Sequence, residues 1–128
     1  MFFGKFIRRM KARSLMELAC LEACERHTEI PPTLMKTLVD QAFSAAKILG
    51  IFDSIKNPQS LRDVAFSLLI GAIDNNYKAY KKEGDVKMAE LSLCCYNALL
   101  DVAGHKCLGL SQEVITLSNK KMIEILLK

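Results

Sequence analysis

Prolines and glycine-led turns cut this chain into segments of helical period, and that punctuation constrains the fold more than any other feature of the sequence. Pro31-Pro32, Asn57-Pro58, Gly84-Asp85 and the run from Gly104 to Leu110 each interrupt a stretch in which apolar residues recur at threes and fours. No stretch alternates with period two for long enough to argue a strand. The pattern predicts an all-α protein.

Ser14-Leu15-Met16-Glu17 has the spacing of a capping box, in which serine and glutamate satisfy free amides of a first turn, so a helix is expected to start near Leu15. It should end before Pro31, which disfavours helical backbone at Ile30. Pro32 suits the first turn of a second helix with apolar positions Leu34, Leu38, Ala42, Ala45, Ala46 and Leu49 and a stop at Gly50. Ile51 to Lys56 reads as a connector. A third helix opens at Asn57-Pro58 or Ser60 and carries Leu61, Val64, Ala65, Leu68, Leu69, Ala72 and Ile73. Phe66 and Ile70 widen its apolar surface, so it is expected to be the central, most buried helix, with Gly71 marking a close helix contact. The fourth helix runs from Val86 to Ala103, and the last shows a face of Val114, Ile115, Ser118, Met122, Ile125 and Leu126.

A chain of 128 residues, 51% hydrophobic and 25% charged, builds one core rather than two. The expected architecture is a single-domain antiparallel bundle, or short stack, of about five helices over residues 14–128, preceded by an arm over residues 1–13.

Ala79-Tyr80, Gly84-Asp85 and Ala89 have the spacing of the middle of a tetratricopeptide repeat, which this part of the chain resembles. The resemblance implies a helical hairpin and, more loosely, a peptide-binding scaffold. Tyr77, Tyr80 and Tyr96 mark the same hairpin, and as rings with a polar tip they are candidates for a protein-binding groove.

Charge is concentrated at the other end of the chain. Residues 1–13 carry Lys5, Arg8, Arg9, Lys11 and Arg13 and no acid, whereas the remaining 115 residues hold 13 basic and 14 acidic side chains. The net charge of +4 therefore comes from the arm. Phe2, Phe3, Phe6, Ile7 and Met10 follow helical spacing opposite these cations, so a helix here is apolar on one face and basic on the other. Three uses compete: docking onto the bundle or a second copy of the chain, binding an anionic membrane surface, and contact with the phosphates of a nucleic acid.

Cys20, Cys24 and His27 stand at i, i+4 and i+7 and are candidate metal ligands, with His105 and Cys107 available to complete a set. Met16, Ala19 and Ala23 share that side, which is what a core face looks like. Structural thiols are the expected reading, with no metal and no cofactor. The five cysteines, two of them adjacent at Cys94-Cys95, argue against a disulfide framework and for a reducing compartment.

The six glycines are scattered singly, so there is no phosphate loop, and neither histidine lies in a recognisable nucleophile–base motif. An enzyme is not expected. The longest uncharged apolar-rich run, Val64 to Ile73, is half of the roughly 20 residues a membrane span needs, and the arm interleaves its charges in a way no secretory signal does. The expectation is a cytoplasmic protein, membrane-peripheral if the arm meets lipid, whose work is association with a protein partner or with itself.

Overall fold

The computed structural model describes residues 2–127; the side chains of Phe2 and Leu126, both assigned to apolar faces above, lie outside the described ones. Among the described residues there are five α-helices and no strand: α1 (Phe2–Arg26), α2 (Pro32–Ile48), α3 (Pro58–Glu83), α4 (Val86–Val102) and α5 (Gln112–Leu126). A 3-10 turn at Ile51–Ser54 links α2 to α3, and a second at Lys106–Leu108 links α4 to α5. The chain is all-α.

The helix start expected near Leu15 is corrected. α1 passes straight through Ser14, which is exposed, and Glu17 accepts from Arg13 Nε at 2.8 Å instead of capping a first turn. A cap contributes about 1 kcal/mol. Against it stands an unbroken buried stripe, Ala12, Leu15, Met16, Ala19, Cys20 and Ala23, which keeps helical spacing across the proposed break.

The other boundaries fall where the punctuation puts them. Asn57 Oδ1 accepts from the amides of Gln59 and Ser60, Asp85 Oδ1 accepts from Met88, and Ser111 Oγ accepts from Val114, so α3, α4 and α5 each begin on a side-chain cap. Gly84 closes α3 with φ +80, the left-handed conformation that glycine adopts without a Cβ penalty.

Packing departs from the sequence reading in three places. The buried face of α2 is Met35, Leu38, Val39, Ala42 and Ala46, whereas Ala45 and Leu49 of the expected face are exposed. Centrality is shared: α1 packs on α2, α3, α4 and both 3-10 turns, while α3 packs on α1, α2 and α4. The deepest segment is the second half of α4, where Cys95, Ala98, Leu99, Leu100 and Val102 are all at most 1% exposed. Gly71 has no close neighbour, since a Cβ built there meets nothing within 4 Å. α5 lies on α4, with Ser118 buried and Val114, Ile115, Met122 and Ile125 half-buried on the expected face.

The connector expected at residues 51–56 is part of the core. Phe52 is fully buried beneath α1, its ring stacked on Phe43 at 6.1 Å between centroids. Leu108 plays the same part in the second turn. Each turn therefore drives one side chain under α1.

Candidate functional site

The first half of α1 is where the cationic arm meets the fold, and its arginines turn inward. Arg9 grips Asp53 with both ends of its guanidinium fork, Nε to Oδ1 at 2.9 Å and Nη2 to Oδ2 at 2.8 Å. Arg8 Nη2 donates to the Asp53 carbonyl at 2.6 Å. Arg13 reaches Asp40 and Glu17 while its guanidinium lies over the Phe43 ring, 5.1 Å from the centroid. The hydrogen bonds from Arg9 hold the Asp53 carboxyl below the usual carboxylate range, and Asp53 in return raises Arg9. Three of the arm's five cations are thus occupied within the fold. Lys5 and Lys11 stay exposed.

Turning the arginines inward leaves the apolar residues outside. Phe3 is 68% exposed, Phe6 and Met10 each 53%, and Ile7 37%. They form a ridge along α1 with a groove on either side. One groove, of about 350 Å³, lies between Phe6, Met10 and Arg13 of α1 and Phe43 and Lys47 of α2. The other, of about 540 Å³, runs between α1, the start of α3 and the second 3-10 turn.

The larger groove has an unusual lining. Leu15, Leu61 and Leu108 form its floor and Ile7, Met10 and Leu18 one wall. Its charged residues are Arg8, Lys11, Lys56 and Arg62, with no carboxylate among its described lining residues. Arg62 is fixed by donating from Nε to the Gly109 carbonyl at 2.9 Å, whereas Lys11 and Lys56 are exposed. An apolar floor under an all-positive rim suits an apolar group that carries negative charge at its edge.

The tyrosines divide. Tyr77 and Tyr96 come together with Asp74, Leu93, Lys121 and Glu124 around a shallow groove of about 370 Å³ between α3, α4 and α5, and Tyr80 is not part of it. Burial raises the Tyr96 hydroxyl, and Lys81 Nζ lies 5.8 Å from the Tyr77 ring centre. Both signs of charge line this groove. Within the hairpin Ala89 is buried and Ala79 exposed.

The Cys20, Cys24 and His27 grouping is not assembled. α1 ends at Arg26; the His27 amide still donates to the Ala23 carbonyl, but its ring is turned to α4, with Nε2 3.1 Å from Asp101 Oδ2. Cys20 is a core residue whose thiol burial pushes up to about 12, and Cys95 beside it is pushed up to about 12 for the same reason. A different set forms at the second turn: His105 Nδ1 lies 3.0 Å from Glu22 Oε2, and Cys107 joins them, with the three candidate ligand atoms all within 4.8 Å of one another. The Cys107 thiol is raised first by burial and then by Glu22, and His105 Nδ1 faces that carboxylate. That geometry does not activate a nucleophile.

Sequence reasoning passed over Asp53, Lys56 and Glu22. A lone acid in a connector, in a chain whose first 13 residues carry only positive charge, was a usable signal for Asp53. Glu22 offered none, because its partner is 83 positions away.

No helix among the described residues is long and apolar enough to cross a membrane. Compared with protein-family models, curated proteins and solved structures, the chain gives no match.

Proposed function

We propose that the protein is an interaction module that receives an amphipathic segment of a protein partner, apolar on one face and acidic along its edge, in the groove beside the first half of α1. The observation that carries this reading is the lining of that groove: a leucine floor, a ridge of exposed Ile7 and Met10, and Arg8, Lys11, Lys56 and Arg62 as the only charged residues among its described lining. A segment laid there would bury its apolar face while its acids met the lysines, which steers encounter and fixes orientation.

The charge pattern favours this occupant over the alternatives. A second copy docking by the same face would bring one positive rim against another. An anionic membrane gains roughly 1 kcal/mol per basic residue near its surface, but Arg8, Arg9 and Arg13 are held by groups of the fold, which leaves Lys5 and Lys11 of the arm. The tyrosine-lined groove, with its mixed charge, is the second candidate surface for a partner.

A photo-crosslinking residue at position 10 of the full chain, followed by binding measurements on the captured protein once purified, tests the reading. The expected result is a partner segment with acids flanking apolar residues, bound with an affinity that falls with salt and is abolished by Met10→Glu. Undiminished binding by Met10→Glu and Lys56→Glu would overturn it. So would capture of the chain by itself, or sedimentation of the wild type with anionic liposomes that Phe3→Ser/Phe6→Ser abolishes.

A further inference from the structure

At the far end of α1 the side chains are of another kind; of the three, Cys107 also borders the larger groove, and the ligand set does not depend on what that groove binds. Glu22 on the last turns of α1 faces His105, which immediately precedes the second 3-10 turn, and Cys107 within that turn. A carboxylate oxygen, an imidazole nitrogen and a thiol sulfur therefore converge from two segments far apart in sequence.

We propose that Glu22, His105 and Cys107 form a binding site for a zinc-class divalent cation that fastens the α4–α5 loop to α1.

The ligand chemistry selects the metal class. A thiolate with an imidazole favours zinc and its neighbours over magnesium or calcium, which take oxygen ligands. Three protein ligands leave a fourth tetrahedral position to water, as in open zinc sites. Zinc bonds of about 2.0–2.3 Å set tetrahedral ligand atoms roughly 3.5 Å apart, so the cluster, already within 4.8 Å, closes by about 1 Å. Cys107 is exposed and sits in a short turn, which leaves its side chain free to make that approach.

Proton bookkeeping is simple and involves no redox step. His105 Nδ1 and Glu22 Oε2, 3.0 Å apart, are in hydrogen-bonding contact, and the cation takes the place of the proton between them. For a neutral ring with its proton on Nδ1, that proton shifts to Nε2, and the thiol releases its own to solvent. Arg26 Nη1, now 3.3 Å from Nε2, then turns away; its side chain is 57% exposed and lies beside Asp101, 3.5 Å from Nε, which continues to hold it. Two negative ligands and one neutral ligand balance a divalent charge.

Titration of the tag-free, metal-stripped full chain with Co²⁺, displaced afterwards by Zn²⁺, tests the site. One equivalent of Co²⁺ should produce a thiolate-to-cobalt absorption band, and Zn²⁺ should erase it. Cys107→Ser should abolish the band, His105→Ala and Glu22→Gln should each weaken binding by about tenfold or more, and Cys94→Ser, at an exposed cysteine outside the cluster, should change nothing. Circular dichroism of Cys107→Ser, altered at an exposed position, checks that the fold is intact. A missing band, or one that survives Cys107→Ser, overturns the proposal.

Discussion

The two halves of α1 are held in the same way by different chemistry. Each is underpinned by a 3-10 turn that buries one apolar side chain, Phe52 below the first half and Leu108 in the second turn, both 0% exposed. Each turn abuts a glycine of positive φ, Gly50 at +67 before the first and Gly109 at +59 after the second. The polar clasp differs. The first half is gripped by an arginine fork on Asp53, a complete ion pair; the second by a histidine–carboxylate contact with a thiol alongside. A charge-satisfied clasp leaves the neighbouring surface to its apolar residues, whereas an imidazole, carboxylate and thiol together form a ligand set. The same structural solution thus leaves an exposed apolar face rimmed by cations at one end and a carboxylate, imidazole and thiol together at the other.

The equivalence of the two turns is open to direct attack. Phe52→Ala should cost about 3–5 kcal/mol and Leu108→Ala about 2–5 kcal/mol, read by urea unfolding, because each deletes a fully buried side chain and leaves a cavity behind. A cost under about 1 kcal/mol at either site would show that its turn is a passive link.

The glycines should rank the turns. Alanine at Gly50 or Gly109 meets the left-handed penalty of roughly 1–2 kcal/mol. At Gly109 the new Cβ would also lie 3.0 Å from Arg62 Nε, against 3.4 Å from Asp53 Oδ2 at Gly50, so Gly109→Ala should be the more destabilising in thermal unfolding. Equal shifts would break the ranking.

The subtlest difference concerns acid. Asp53 is depressed in the folded state by its hydrogen bonds from Arg9, so its contribution is present above the unfolded carboxylate value near 4 and is lost as pH falls through the lower folded value. Fraying of residues 3–13 should appear below about pH 4 in backbone chemical shifts, before the buried stripe from Leu15 onward responds. Asp53→Asn should reproduce it at neutral pH, and a helix that stays intact in that variant would show that packing alone holds the first half.

Helix punctuation was legible because it is local chemistry. Asn57, Asp85 and Ser111 cap the helices they precede, and Pro31-Pro32 separates α1 from α2, all through contacts within a few residues. The capping box at Ser14 misled for the opposite reason: a local preference of about 1 kcal/mol met a buried stripe and three long-range arginine contacts. The face of α2 was misjudged around Met35 and Val39, since several apolar faces satisfy the same periodicity and only the neighbours choose among them.

The site followed the same division. The arm's ten residues of interest were visible from spacing and charge, but their use was not, because Asp53 and Asp40 lie 44 and 27 positions from the arginines they bind. The sequence by itself determined five helices, most of the breaks between them and a polarised first segment, since these rest on interactions within a turn or two of the chain. Only the tertiary structure decided that Arg8, Arg9 and Arg13 turn inward and Phe3 and Phe6 outward, and that Glu22 meets His105 and Cys107. Those outcomes depend on which distant groups folding brings within 3 or 4 Å, and no periodicity in the chain encodes that.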